Sequence, residues 1–265
     1  MIELAPKILF SRREMMQVAA ARRLTNEDIC LVGIGEPSVA CNLARLTHAP
    51  DIKLIYESGT LDTKPDILPL SIGDGVLCDN ALTTVSLPEM FQYWLQAGRI
   101  SVGFLGGAQI DRFANLNTSV IGSYHKPKVR LPGAGGAPEI STGCERVFII
   151  IEMSPEKFVK KLDFRTTLGY GDGGNHRTEL GVRTKGPLGV ITDLCVMEPE
   201  AETNELVVVS LHPGVELEQA RESCGWDLRF CRDLVETPHP TDLELEVLRN
   251  LKARTEAAHQ GGNSK

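Results

Sequence analysis

The 265-residue sequence contains no run of lysines and arginines, and aromatic residues make up only 5% of it. Its formal net charge at pH 7 is −7. A nucleic-acid-binding surface and a basic membrane-binding helix both need clustered positive charge, so this composition argues against either. We therefore expect a protein that binds small molecules, with no nucleic-acid partner.

Long apolar runs are also lacking, because no stretch approaches the roughly 18 apolar residues that a membrane-spanning helix needs. In the N-terminal segment MIELAPKILFSRREM the charges follow the short apolar patch, which is unlike a secretory signal. We expect a cytoplasmic protein with no membrane partner.

The cysteines lack the spacing of a disulfide framework or a zinc site. They are odd in number and form no CxxC pair: Cys30, Cys41, Cys78, Cys144, Cys195, Cys224 and Cys231. Scattered cysteines and histidines are far more often packing or surface residues than ligands, so we expect reduced thiols, no metal ion and no cofactor other than substrate.

The order of hydrophobic patterns predicts the fold class. Four short apolar runs are typical of buried strands: 29–34, 52–56, 100–105 and 146–152. Helical spacing of apolar residues occurs at 11–23, 37–46 and 88–98. This alternation predicts an α/β fold with an open, mainly parallel sheet and helical crossovers.

Towards the C-terminus, the pattern predicts two strands at 190–198 and 205–211 and two helices at 217–223 and 243–255. The segment 106–143 is glycine-rich and irregular yet contains apolar residues, which favours a functional loop region over disorder. No clean linker is visible. We predict one domain over 1–256 and a flexible C-terminal tail over 257–265.

A glycine-rich segment, GIGEPSVA at 33–40, follows a predicted strand and opens a predicted helix, as a dinucleotide-binding loop does. Three features argue against nucleotide: Ser38 stands at the third glycine position, Pro37 removes an amide, and Glu36 places a carboxylate where a pyrophosphate would lie. Gly33 and Gly35 can still present free amides beside the neighbouring strand end.

Glu57 follows the predicted strand 52–56, and ligands of open parallel sheets bind at the carboxyl ends of the strands. Position therefore favours a chemical role. An isolated glutamate after a strand is more often a solvated loop charge, so position alone does not decide the matter.

Several motifs in fixed order do decide it. They are YESG at 56–59, GGAQID at 106–111, ANLN at 114–117, IGSYHKPK at 121–128 and GAGGAPEI at 133–140. From about Met15 to the final helix, the sequence resembles the B subunits of class I CoA-transferases. Within that class it is similar to the glutaconate CoA-transferase B type, and HAPDIKLIYESG and LPLSIGDG resemble its 3-oxoadipate CoA-transferase members.

The resemblance implies a ping-pong reaction in which Glu57 attacks an acyl-CoA and then carries CoA as a glutamyl thioester. A carboxylate suits this exchange because the anhydride it forms can be reopened by the thiolate on either side. The implied donor is succinyl-CoA and the implied acceptor is 3-oxoadipate, an acid formed in the breakdown of aromatic compounds. Glutaconate or another dicarboxylate is the alternative acceptor.

The resemblance also implies further site residues and a partner. Gly133, Gly135 and Gly136 would form the CoA or oxyanion loop, since glycine lets backbone amides approach a developing oxyanion. Substrate-binding candidates are Ser71, Gln109, Asp111 and His125, although each also suits a turn, a loop contact or a solvated surface. The implied partner is a homologous A subunit, within a higher-order hetero-oligomer.

Two other functions stay open at this point. Relatives on the same scaffold hydrolyse or cleave CoA esters, but they typically replace the glutamate of YESG, which is present here. The chain could also be a non-catalytic binding subunit. The resemblance argues against this, because it assigns the catalytic glutamate to the B subunit.

Overall fold

The computed structural model describes residues 9–262. Part of the N-terminal segment used to argue against a secretory signal, and residues 263–265 of the predicted tail, lie outside this range. Within it, the strands are β1 (Ile29–Leu31), β2 (Lys53–Ile55), β3 (Thr60–Leu61), β4 (Thr83–Thr84), β5 (Val102–Leu105), β6 (Gln109–Ile110), β7 (Leu116–Asn117), β8 (Val120–Ser123), β9 (Lys126–Arg130), β10 (Arg146–Ile150), β11 (Gly186–Ile191), β12 (Cys195–Pro199), β13 (Leu206–Leu211) and β14 (Arg229–Glu236). The helices are α1 (Arg12–Ala21), α2 (Glu36–Leu46), α3 (Val76–Asp79), α4 (Leu87–Glu89), α5 (Ala137–Gly143), α6 (His176–Glu179), α7 (Leu217–Glu222) and α8 (Asp242–Gly262), and α4 continues as a π-helical segment, Met90–Leu95.

An open eight-stranded sheet forms the centre of the fold, in the order β14-β13-β12-β11-β10-β5-β1-β2. Neighbouring strands are parallel except at β12, which runs antiparallel to both β11 and β13. The predicted α/β class, with an open and mainly parallel sheet, is confirmed.

Helices cover the sheet on both faces. Along β1, Cys30 enters the core beneath α1, α2 and α8, whereas Leu31 enters the core on the opposite face. This alternation follows from the two-residue period of a strand and explains why the run reads as continuously apolar.

A topological switch lies between β1 and β5. The crossover from β1 to β2 uses α2 on one face, whereas the π-helical segment on the path from β2 to β5 packs into the core of the other face. β2 and β5 flank β1 on opposite sides. The two connections therefore diverge and leave a crevice at the carboxyl ends of the strands, which is where open α/β sheets bind ligands.

Several local predictions need correction. The segment 190–198 is not one strand: it contains the end of β11, a turn at 192–194 and β12, and the Thr192 hydroxyl accepts the amides of Leu194 and Cys195. β14 was missed because it is an edge strand with many exposed charged residues. The last helix continues beyond the predicted end to Gly262, and the boundary of the flexible tail stays a prediction.

The buried guanidinium of Arg177 fastens α5 to the rest of the domain. It donates to the carbonyl oxygens of Ser141 (2.8 Å) and Gly169 (2.8 Å) and to the carbonyl and hydroxyl oxygens of Thr184 (3.1 and 2.7 Å). Its side chain is 4% exposed, and no carboxylate in residues 9–262 pairs with it. Neutral oxygens therefore satisfy the buried charge.

We expect Arg177→Met to reduce the free energy of unfolding by about 3 kcal/mol, because it leaves several buried carbonyl oxygens without donors. Urea denaturation of the purified chain measures the effect. Arg183→Met is the matched control, since Arg183 is exposed and close in sequence. Equal midpoints for the two variants would contradict the assigned role of Arg177.

Candidate active site

Glu57 is held at the end of β2 by a buried neighbour and a tight turn. The side chain of Tyr56 is fully buried, and its hydroxyl group hydrogen-bonds the Ser38 hydroxyl on α2 at 3.0 Å. In the turn, the Gly59 amide donates to the Tyr56 carbonyl oxygen at 2.9 Å. Gly59 has φ +101°, and a Cβ there would collide with the carbonyl oxygen of Val85. The YESG sequence thus fixes where the glutamate points.

A cleft of about 470 Å³ opens beside Glu57 at the carboxyl ends of β1, β5 and β10. Its lining includes Gly33 and Glu36 from the β1–α2 connection, and Gly135 and Gly136 from the start of α5. Most of the other lining residues are apolar: Val32, Ile34, Ile72, Phe104, Leu105, Ala137, Ile140 and Ile150. The site therefore combines a few polar groups with apolar walls, as small-molecule sites do.

Gly136 lies directly against the Glu57 carboxylate. A Cβ at position 136 would be 2.5 Å from Oε1 of Glu57 and 2.7 Å from Cζ of Phe91. The amides of Gly135 and Gly136 donate to no acceptor among residues 9–262, and both residues line the same cleft as Glu57. Only glycine leaves room for this approach.

Burial raises the pKa of the Glu57 carboxyl group, and the nearby Glu139 carboxylate adds to the rise. The carboxylate of Glu36 has different partners: it accepts hydrogen bonds from Arg13 Nε (2.6 Å) and Gln17 Nε2 (2.6 Å) on α1. The Glu36 carboxylate is therefore paired with a cation on α1, and the argument against a dinucleotide site stays a prediction.

The remaining predicted residues divide into two groups. Gly35 and Gly133 flank the cleft with φ values of +84° and +108°, conformations that favour glycine. Ser71 is exposed, and its neighbour Ile72 lines the cleft. All three residues are thus next in sequence to residues that line the cleft, and their binding roles stay predictions.

Gln109, Asp111 and His125 are not among the residues that line the Glu57 cleft. Gln109 binds Asp163 and Asn117, and Asp111 accepts the amides of Phe113 and Asn115, so both side chains hold loops together. His125 is exposed in the turn between β8 and β9. The substrate-binding roles of these three residues stay predictions.

Phe91 and Glu139 were not predicted as parts of the site. Phe91 lies in the π-helical segment, whose wide turn could not be read from the helical spacing of 88–98. Glu139 follows the GAGG loop in the first turn of α5. The only sequence signal for Glu139 was its place within the GAGGAPEI motif.

The contacts of His212 are internal to the fold. It is buried between the Thr237 hydroxyl (3.0 Å) and the Thr192 carbonyl oxygen (2.8 Å), and burial lowers its pKa to about 4. Four of the seven cysteines are fully buried thiols. Over residues 9–262, no three His, Cys, Asp or Glu side chains converge as metal ligands would, and no helix has the length and apolar character needed to cross a membrane.

Comparison with known proteins identifies the class. Residues 13–223 match the family described as Coenzyme A transferase. The chain is 61% identical to the B subunit of 3-oxoadipate CoA-transferase from Pseudomonas knackmussii, over 96% of this chain and 98% of that protein. It is 32% identical to the B subunit of glutaconate CoA-transferase from Acidaminococcus fermentans, over 89% and 91% of the two chains.

The crystal structure of glutaconate coenzyme A-transferase from Acidaminococcus fermentans matches with a TM-score of 0.85 and 30% identity, covering 91% of this chain and 94% of that one. Fold and sequence thus define an α/β enzyme that transfers coenzyme A. The chain belongs to the coenzyme A transferase family, and the resemblance inferred from its motifs is confirmed.

Proposed function

We propose that this chain is the B subunit of a CoA-transferase that moves CoA from succinyl-CoA to 3-oxoadipate, with Glu57 as the nucleophile. The observation that carries the proposal is the half-buried Glu57 carboxylate at the sheet edge, walled by Gly136 in an apolar cleft. The 61% identity to the B subunit of a 3-oxoadipate CoA-transferase supports this acceptor over glutaconate.

In the first half-reaction, a Glu57 oxygen attacks the thioester carbonyl of succinyl-CoA, the C–S bond breaks, and CoA leaves as a thiolate. The thiolate then attacks the glutamyl carbonyl of the mixed anhydride and expels succinate. The result is a glutamyl-CoA thioester. On this proposal, the amides of Gly135 and Gly136, two residues that line the same cleft as Glu57, donate to the oxyanions that form during the reaction.

In the second half-reaction, a carboxylate of 3-oxoadipate attacks the glutamyl thioester and releases the CoA thiolate. The thiolate then attacks the acyl carbonyl of the new anhydride, which frees both 3-oxoadipyl-CoA and the Glu57 carboxylate. Atoms and charge balance without a metal or redox cofactor. The raised pKa suits the role, since a more basic carboxylate is the better nucleophile once it is ionised.

We propose that a homologous A subunit completes the active site, within a hetero-oligomer. The relatives that share most of this chain's length are themselves called B subunits. On this proposal the purified chain alone does not turn over, and it gains activity on co-expression with a 3-oxoadipate CoA-transferase A subunit. Full turnover by the isolated chain would overturn the assignment of a partner.

The direct test is intact-mass spectrometry of the co-expressed enzyme after incubation with succinyl-CoA in the absence of acceptor. We expect a CoA adduct on this chain that disappears in Glu57→Ala. An adduct on neither variant, together with steady release of CoA and free acid, would instead indicate a hydrolase or lyase on the same scaffold.

The acceptor is tested separately, by comparing kcat/KM for 3-oxoadipate and glutaconate with succinyl-CoA as donor. We expect 3-oxoadipate to be preferred at least tenfold, since glutaconate is one carbon shorter and one methylene in a fitted pocket is worth roughly tenfold or more. A preference for glutaconate would retain the CoA-transferase and change its substrate. On the proposed assignment, the enzyme acts in the breakdown of aromatic compounds and works in the cytoplasm.

A further inference from the structure

The Glu57 carboxylate has a neighbour that the reaction scheme does not use. The Cβ position of Gly136 is 2.5 Å from Oε1 of Glu57, 2.7 Å from Cζ of Phe91 and 2.9 Å from Cε1 of Phe91. The Glu57 carboxylate and the edge of the Phe91 ring therefore lie close together on the same side of Gly136. The lining of the cleft includes Glu57 and Gly136 but does not include Phe91, so the ring lies behind the nucleophile.

The π-helical segment presents this ring. The Gln96 amide donates to the Phe91 carbonyl oxygen at 2.9 Å. This bond spans five residues, whereas an α-helix would use four, so the segment is wider and presents different side chains to its neighbours. Such segments are rare and are often found at functional sites.

The segment packs against both ends of α5. Phe91 contacts Gly136, and Leu95 lies 3.0 Å from the Cβ position of Gly143. Met90 and Leu95 are buried in the core beneath the sheet, and Phe91 packs against that core. The ring is thus anchored from behind and can hold the loop before α5 against Glu57.

We propose that Phe91 is a positioning residue for Glu57, whose ring holds Gly136 against the carboxylate and keeps water from the side away from the cleft. The inference rests on the proposed role of Glu57 as the nucleophile. It extends that role by assigning part of the burial of the carboxylate to a particular aromatic side chain.

Two consequences follow from removing the ring. First, the carboxylate becomes better solvated, so its pKa returns towards the ordinary value of a glutamate. The other charged groups near Glu57 are Glu139 on α5 and Glu36 on α2, and neither changes in the variant. Second, water gains access to the glutamyl-CoA thioester, which hydrolyses to the Glu57 carboxylic acid and free CoA.

The test compares Phe91→Ala and Phe91→Leu with the wild-type chain, each assembled with the A subunit. We expect Phe91→Ala to reduce kcat/KM for transfer by roughly 10- to 100-fold, the range for a displaced catalytic group. We also expect the acid limb of its pH profile to move to lower pH, and the ratio of succinyl-CoA hydrolysis to transfer to rise severalfold. Phe91→Leu refills part of the space left by the ring, so its kcat/KM, acid limb and hydrolysis ratio should lie between those of Phe91→Ala and the wild type.

Phe230→Ala is the matched control. Phe230 is partly buried in the same core but lies on β14, at the opposite edge of the sheet from β2. It should lower stability without changing the acid limb or the hydrolysis ratio. If Phe91→Ala does not assemble, the Phe91→Leu variant carries the test.

An unchanged acid limb and hydrolysis ratio in both Phe91 variants, with the CoA adduct still forming on Glu57, would overturn the role of Phe91 alone. Absence of the adduct from the wild-type enzyme would instead overturn the proposed nucleophile. The adduct measurement therefore separates the two failures.

Discussion

Glu57→Gln is expected to abolish CoA transfer, with kcat/KM falling by at least about 10⁴-fold, and to make the folded chain more stable. The loss follows because a neutral amide cannot attack a thioester and form the anhydride on which the exchange depends. The gain follows because burial and the neighbouring Glu139 both disfavour the Glu57 carboxylate.

The pH dependence of the stability gain has a definite sign. A carboxyl group with a raised pKa in the folded state binds its proton more tightly there than in the unfolded chain. Its ionisation therefore destabilises the folded state as pH rises through the folded-state pKa. We expect Glu57→Gln to be more stable than wild type at neutral pH, and the difference to vanish below about pH 4, where the unfolded carboxyl group is also protonated.

Steady-state kinetics of the assembled enzyme and thermal unfolding at several pH values measure the two effects together. Glu152→Gln is the matched control, because Glu152 follows β10 much as Glu57 follows β2 but is exposed and pairs with Lys157 at 3.2 Å. A Glu57→Gln enzyme that retains transfer would refute the nucleophile. A variant that loses activity and also stability would show that the carboxylate is held by favourable contacts.

The same pH argument applies to activity. The reaction needs the ionised carboxylate, so kcat/KM of the wild type should fall with decreasing pH through the raised pKa of Glu57. The groups that raise this pKa are the ones that pack around the carboxylate, and they also exclude water from the glutamyl-CoA thioester. Nucleophilicity and protection from hydrolysis thus have a common structural cause.

Much of the fold could be predicted because the β1–α2–β2 unit has strong local signals. Its strands are short apolar runs, and Pro37 in the first turn of α2 favours a helix start. The position of Glu57 at the sheet edge followed from the same pattern. β14 was missed because its residues alternate poorly and many are exposed, so hydrophobic periodicity does not identify it.

The site was predictable only where its residues are adjacent in sequence to strand ends or belong to glycine loops. Gly33, Gly135 and Gly136 satisfy that condition and line the cleft. Phe91 does not, because its contact with Gly136 depends on a five-residue helical turn and on tertiary packing. Gln109 and Asp111 are buried and hold loops together, an arrangement that the sequence motifs alone do not reveal.

Gly136→Ala is expected to lower kcat/KM by about 10²-fold or more. The backbone at this position has φ −85°, which alanine adopts without strain, so the effect is steric. A Cβ there would lie closer to Oε1 of Glu57 and to the Phe91 ring than non-bonded atoms approach. Phe91 packs against the core, whereas the Glu57 carboxylate is the end of a flexible chain, so the carboxylate gives way.

A displacement of this kind moves the nucleophile from its position in the cleft, and errors of about 1 Å can reduce rates 10²-fold. Gly75→Ala is the control: Gly75 also has a negative φ, and its Cβ position has nothing within 4 Å. CoA-adduct formation and transfer rates report on the position of the nucleophile, and thermal unfolding measured on the same variants reports on stability. Normal adduct formation in Gly136→Ala would mean that the loop before α5 moves instead of Glu57, and that its close approach is not required for the reaction.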